Sequence, residues 1–248
     1  MNKKLNTIFF YIALVWPLVA DDGYKMPPKA IVDIVDAPKT PNISISPNKE
    51  YLLLLGRPSL ISIEELSQSE LKLAGIRINP ATNGRSRAST YNSITIKNIE
   101  SRKEKKIKGI PRGAAIIQTS WSPDGNHIAI AVIVDKKISL YVAQTKNGRA
   151  KLLVNKALNT AYGTPMYWLS DSRGSIIKTI IDRRGPAPTD NTTPSGPILQ
   201  ENLGIVSPAR TYQDLLSSPY DEDLFDHYMT SQVPVSYTHL RAHETLGN

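Results

Sequence analysis

Between residues 115 and 181 apolar residues come in short runs separated by polar turns, at the spacing of strands rather than of helices. In "QTSWSPDGNHIAIAVIV" (residues 118 to 134), Ser122, Pro123, Asp124 and Gly125 form a turn. Proline presets one backbone angle there, aspartate bonds nearby main chain, and glycine tolerates the exit. Residues His127 to Val134, nearly all apolar and rich in Ile and Val, follow as a strand buried on both faces. "DKK" turns the chain, "ISLYVA" (138 to 143) alternates as a second strand, "KNG" turns it again, and "AKLLV" (150 to 154) makes a third. Consecutive strands joined by tight turns predict an antiparallel meander.

The unit recurs. "MYWLSDSRGSIIKTII" (166 to 181) places Trp168 and Asp171 each 47 residues after Trp121 and Asp124. "ISISPNKEYLLLL" (43 to 55) places Ile45 and Pro47 each 76 residues before Trp121 and Pro123. A period in the forties is that of four-stranded propeller blades, and the longer spacing calls for an insertion. Beyond residue 20 the chain has two tryptophans, both at this repeat position, where a flat ring can fill the wedge between neighbouring blades. The expectation is an all-β chain: a partial β-propeller of about three recognisable blade units with short helical insertions. One helix is expected in "SIEELSQSELKLAG", from a cap at Ser62 with Glu65 three residues on to a stop at Gly75. A second is expected in "SSPYDEDLFDHYM", capped by Ser218 with Pro219 at its first position, Leu224 and Tyr228 sharing a face with Phe225 and Met229 alongside. That helix is expected to lie against the wheel. "RRGPAPTDNTTPSGP" (183 to 197) has four prolines and no apolar period, and predicts a loop or crossing segment.

The chain of 248 residues is 40% hydrophobic, enough to bury a core. Its formal charge of +8 does not imply a nucleic-acid partner. The densest basic stretch, "SRKEKKIK" (101 to 108), contains a glutamate and no interleaved aromatics for base stacking, and predicts a solvated loop or edge strand. "MNKKLNTIFFYIALVWPLVA" (residues 1 to 20) has a lysine pair, a short apolar run and a terminal small residue, the order of a secretory signal peptide. Its apolar run is short of the ~20 residues that span a bilayer. A periplasmic or secreted location, with no membrane contact beyond this segment, is the expectation. With no cysteine, the chain has neither a disulfide framework nor a thiolate metal site.

Several separated blocks carry a family resemblance: "YKMPPKAIVDIVDAPKTPNISISPNKEYLLLLGRPSL", "ELKLAGIRINPATNGRSR" and "PARTYQDLLSSPYDEDLFDHYMTSQ". Together they resemble the amino-terminal half of secreted peptidases of the prolyl oligopeptidase family, in the branch of the glutamyl endopeptidases and their bacterial relatives. The likeness runs from about residue 24 to 232. It implies a β-propeller followed by an α/β-hydrolase domain with a Ser, Asp, His triad, the propeller restricting access to peptides and unfolded segments.

The catalytic half of that chemistry is not legible here. A nucleophile elbow needs small residues about a serine at a strand-to-helix corner. No Gly-x-Ser-x-Gly occurs, and the nearest stretch, Gly84, Arg85, Ser86, Arg87, Ala88, follows "NPATN" and predicts a surface loop. His127 opens a buried strand and is expected to be structural, and His227 is expected to be solvated on the second helix. "HLRAHE" sets His239 and His243 four apart with Glu244 beside them, but the metalloprotease order puts the glutamate between the histidines. The surrounding "VSYTHLRAHETLGN" resembles translated sequencing-adapter read-through, so residues 235 to 248 are expected to be a non-native tail. No catalytic, cofactor-binding or metal-ligating residue is therefore assigned, and no cofactor. The expected organisation is a signal peptide at 1 to 20, the propeller portion of a secreted peptidase at 21 to 234, and the tail. Its partners would be peptide substrates, met through a parent enzyme whose hydrolase domain is missing from these residues. The other open reading is a periplasmic propeller, similar to that of the Tol system, that binds a protein or peptide without catalysis.

Overall fold

The computed structural model describes residues 25–154, 156–190, 204 and 212–237. Contacts divide the chain into two units, up to Asp36 and from Ala37 onward. The first contributes helix α1 (Lys29–Val35), which begins after Pro28, has no buried residue, and carries a Lys29–Asp33 ion pair one turn apart on its surface. The strand pattern did not predict this helix.

The second unit is built of antiparallel sheets. β1 (Lys39–Ile45), β2 (Tyr51–Arg57), β6 (Ser93–Asn98) and β7 (Glu104–Lys106) form one sheet in that order. Between β2 and β6 is inserted helix α2 (Ile63–Leu66) with a small sheet of β3 (Leu71–Leu73), β4 (Ile76–Asn79) and β5 (Gly84–Arg85). β8 (Ala115–Trp121), β9 (His127–Val134), β10 (Lys137–Gln144) and β11 (Arg149–Val154) make an unbroken four-stranded meander. β12 (Met166–Trp168) and β13 (Gly174–Ile177) start a third sheet, completed by β14 (Val235–Tyr237), which follows helix α3 (Pro219–Met229).

The sheets pack in series because β9 is apolar on both faces. Ile128, Ile130 and Val132 pack on Leu53, Leu55, Ile94 and Ile96 of the first sheet. Ala129 and Ala131, on the opposite face, share a second core with Ile138, Leu140, Met166 and Ile177, which reaches the third sheet. A strand apolar on one side only could not join two neighbours in this way.

The repeat in the sequence becomes a repeat of contacts. The Trp121 indole Nε1 donates to Ser44 Oγ of the preceding sheet at 3.0 Å, and Trp168 Nε1 donates to the Ser120 carbonyl at 3.3 Å. Ser44 and Ser120 occupy the same place in their units, each preceding the turn. The turns touch as well: Asp124 N donates to Ser172 Oγ at 3.0 Å, and a Cβ at Gly125 would lie 2.7 Å from the Asn48 carboxamide. Within each turn a serine or aspartate side chain bonds the main chain, as Ser46 Oγ does with Tyr51 N, Ser122 Oγ with His127 N and Asp171 Oδ1 with Arg173 N. Three meander units packed face to face, with equivalent turns meeting, make the chain a partial β-propeller whose sheets do not close. The far face of the first sheet leaves Ile43 and Ile45 about 60% exposed, at 62% and 60%.

Two helix expectations change. Ser62 caps α2 as predicted, accepting from Glu65 N at 3.1 Å, but the helix ends at Leu66. Residues 71 to 73 form a strand instead, because Leu71 and Leu73 alternate about Lys72 and pair with β4. α3 has the predicted cap, Ser218 accepting from Asp221 N, and buries Leu224 and Tyr228. It packs on the inserted sheet, against Leu73, Ile78 and Ala161, rather than on a blade. The basic stretch holds the edge strand β7, fully exposed. Of the segment assigned to a non-native tail, Val235–Tyr237 pairs with β13, and the rest lies outside the described residues, as do residues 1 to 24.

Candidate functional site

The inserted β4–β5 hairpin, the loop after β11 and the end of α3 meet at a buried polar node. A helix leaves its last carbonyls without intrahelical donors, and at the end of α3, where Tyr228 is buried, side chains serve them. Asn159 Nδ2 donates to the Tyr228 and Thr230 carbonyls, both at 2.9 Å. Asn83 Nδ2 donates to Asn159 Oδ1 at 2.7 Å and to the Tyr228 carbonyl at 3.1 Å. Arg184 Nη1 donates to Asn83 Oδ1 at 2.6 Å and to the His227 carbonyl at 2.9 Å. Asn83 reaches this position because it takes the left-handed conformation, φ 53°, which asparagine tolerates better than most residues. The Arg184 guanidinium lies 5.4 Å from the centroid of the Tyr228 ring, a cation–π contact, and its charge also suits a helix C-terminus.

The electrostatics of the node are unbalanced. Burial lowers the Arg184 pKa from its ordinary value, and the one opposing influence is Tyr228; no carboxylate contributes. Burial raises the Tyr228 hydroxyl, with Arg184 pulling the other way and Tyr220 adding to the rise. Burial, then the neighbouring Arg184 charge, lowers His227 below the ordinary imidazole value. Elsewhere on the hairpin the charges are matched: Glu70 faces Arg77 at 3.4 Å and Arg87 at 3.7 Å. A hydrogen bond from Ser86 and those arginines hold its carboxyl below the usual range against the opposing effect of burial.

A cleft of about 340 Å³ adjoins the node, lined by Thr82, Gly84, Gln118, Ile138, Thr160 and Thr164 among others. Two successive pairs connect them: Asn83 and Asn159 belong to the node, while the next residues, Gly84 and Thr160, form cleft wall. Thr160 Oγ1 is buried and has no hydrogen-bond partner among the described residues. A Cβ at Gly84 would lie 2.7 Å from Thr160 Oγ1 and 2.8 Å from Ile138 Cδ1, so a larger residue there requires those side chains to shift. The size is that of small-ligand clefts, and the walls mix isoleucine with hydroxyl and carboxamide groups. This arrangement can hold and orient a polar group, but it pairs no nucleophile with a base.

Of the residues weighed in the sequence, Gly84, Arg85 and Ala88 line the cleft, and the other described ones fall outside it or at the edge of the node. Ser86 follows the short strand β5 and serves Glu70, so the Gly84 to Ala88 stretch is no strand-to-helix corner. His127 opens β9 with its ring 6.3 Å from that of Trp168. His227 gives its carbonyl to Arg184 and sets its ring edge-on to Tyr228, more enclosed than a solvated helix position. His239, His243 and Glu244 lie outside the described residues. Among the described residues no group of three His, Asp or Glu side chains could hold a metal ion, and no helix is long and apolar enough to cross a membrane. Asn83, Asn159 and Arg184 were missed by the sequence reading. Their one local signal is the Asn83-Gly84 pair, which marks a turn and says nothing of a network.

The chain is 40% identical over 225 residues to the probable chloroplastic glutamyl endopeptidase of Oryza sativa subsp. japonica, and 38% identical over 229 residues to that of Arabidopsis thaliana. The matches cover 85% and 87% of this chain. In sequence, this chain is similar to these glutamyl endopeptidases. It spans about a quarter of the length of these relatives, 24% of each. No protein-family model matches it. Among solved structures, an acylaminoacyl peptidase from Pyrococcus horikoshii is 17% identical, matching 64% of this chain and 21% of its own, with a TM-score of 0.36. The likeness to these peptidases accordingly rests on the sequence matches, and the propeller architecture on the serial packing described above.

Proposed function

We propose that this chain is the propeller portion of an exported, glutamyl endopeptidase-like serine peptidase, and that it admits and orients peptides for a hydrolase domain encoded beyond these residues. The observation that carries the reading is the 40% identity sustained over 225 residues to a glutamyl endopeptidase. Two features support it. The described residues offer a polar cleft without a nucleophile and base, which suits substrate handling better than chemistry. The first twenty residues have the charge and hydropathy order of an export signal.

The test is to recover the genomic reading frame that contains codons 21 to 234, express the whole product, and follow hydrolysis of peptide pairs that differ by one Glu-to-Gln exchange. The reading predicts cleavage of the Glu peptide, abolished by a fluorophosphonate, and no hydrolysis by the 248-residue chain. A native frame that supplies no strand-flanked Gly-x-Ser-x-Gly, or a full product that hydrolyses neither peptide, would overturn it and leave a non-catalytic peptide-binding propeller.

A further inference from the structure

We propose that copies of this chain bind one another head to tail, the free face of the first sheet in one copy seating on the free face of the third sheet in the next. The repeat gives each sheet two kinds of face. On one, a residue at the position of Trp121 and Trp168 reaches toward the preceding unit; on the other, a residue at the position of Ser44 and Ser120 receives it. The offsets of 76 and 47 residues carry Trp121 back to Ile45 and Ser120 forward to Tyr167. Ile45 therefore stands at a reaching position and Tyr167 at a receiving one, and both are exposed. Their surroundings are apolar. Ile43 and Ile45 lie across from the half-buried Leu54 and Leu52, and Tyr167 lies across from Ile176, which is exposed. Residues directly opposite on antiparallel strands share a face, so the stack ends in two apolar faces of complementary kind.

The turns set the register. Asn48, Asp124 and Asp171 are equivalent in the repeat, and so are Lys49, Gly125 and Ser172. The second set shares the left-handed conformation, with φ of 61°, 71° and 62°. At both junctions inside the chain, the first position of one turn meets the second position of the next, Asn48 against Gly125 and Asp124 against Ser172. One further step of the same kind places Asp171 of one copy against Lys49 of another. Both side chains are exposed and they carry opposite charges. An exposed ion pair adds little affinity, but it favours this register over slipped ones, while the apolar faces supply the attraction. A single copy cannot make the contact, because its second sheet lies between the two faces. Two copies present about six units, inside the range of propeller rings, so a head-to-tail contact repeated once can close on itself.

This inference rests on the repeat and not on the peptidase reading, and its test involves no hydrolysis, so either can fail without the other. Lys49→Cys and Asp171→Cys are made singly in the 248-residue chain, which has no cysteine of its own, and are oxidised separately and mixed. Head-to-tail contact predicts a reducible two-chain product from the mixture and little from either variant alone. Sedimentation velocity over a dilution series should show the unaltered chain associating as its concentration rises. Ile45→Lys and Lys49→Asp, each checked for folding by circular dichroism, should weaken that association about 10-fold or more. Mixing Lys49→Asp with Asp171→Lys should recover it, because opposite charges meet again at the junction. Like variants that cross-link as readily as unlike ones would overturn the proposal, as would undiminished association of a folded Ile45→Lys. So would a chain that stays monomeric at every concentration, its end faces covered by its own remaining residues. Should Ile45→Lys not fold, the mixed-cysteine experiment decides: absence of the unlike product refutes the contact.

Discussion

Gly125 lies where two turns meet, and replacing it with alanine separates the cost of its backbone from the cost of its neighbour. Its φ is +71°, and a Cβ would approach the Asn48 Cγ and Oδ1 atoms to 2.7 Å. Asn48 cannot swing away freely, because its Oδ1 accepts from Ser46 Oγ at 2.7 Å and from Glu50 N at 3.3 Å. The left-handed conformation costs an L-residue ~1–2 kcal/mol, and forcing a methyl group into a filled contact adds ~1–3 kcal/mol. Gly113 provides the comparison: its φ is +75° with nothing within 4 Å of a Cβ, so alanine there incurs the backbone cost alone. Urea unfolding of both variants should therefore place Gly125→Ala below Gly113→Ala by ~1–3 kcal/mol. Adding Asn48→Ala should return most of that difference as a coupling energy. Equal destabilisation by the two glycine substitutions, with no coupling to Asn48, would refute the packing of turn on turn.

Trp168→Phe removes the indole donor to the Ser120 carbonyl, and thermal unfolding should show a loss of ~1 kcal/mol or more. Acid should destabilise the fold in two stages. His227 has a lowered folded pKa, so the unfolded chain takes its proton more readily and stability begins to fall as pH drops below ~6.5. Asp124 is pulled below its ordinary value because bonds from Ser122 and Asn126 outweigh the opposing burial, and Asp221 because of bonds from Ser217 and Ser218. Their contribution is present above ~pH 4 and is lost as pH falls through the folded values, so Asp221→Asn should flatten that limb of a pH-stability curve. The exposed Ile43 and Ile45 predict self-association, and threonine at both should lower the sedimenting aggregate without lowering the melting temperature.

The blades were legible because strand burial and turn chemistry are both local. An unbroken apolar run fixes β9 as a strand between two partners, and Ser-Pro-Asp-Gly fixes the turn before it. The tryptophan spacing carried the long-range fact, since two rings at one repeat position imply two equivalent neighbours. The insertion was harder. Ser62 and Glu65 announce a helix correctly, but nothing in their four-residue signal says that it ends at Leu66 before a sheet. Destination was also hidden: the apolar face of α3 predicts burial but does not distinguish a blade from the inserted hairpin. The candidate site was least legible. Asn83, Asn159, Arg184 and the end of α3 are separated by up to 145 residues in their bonds, and asparagines serving buried carbonyls resemble any loop asparagine in sequence.

The central structural claim is that units spaced 47 residues apart are adjacent blades whose turns touch. The chain has no cysteine, so Asp124→Cys with Ser172→Cys introduces one pair, at positions joined by a 3.0 Å contact from Asp124 N to Ser172 Oγ. Disulfides require Cβ atoms ~3.5–4.5 Å apart. Mild oxidation of the folded double variant should cross-link nearly all of it within one chain, detected as a reducible mobility shift and loss of both thiols. Two free thiols persisting in a folded product would contradict the account.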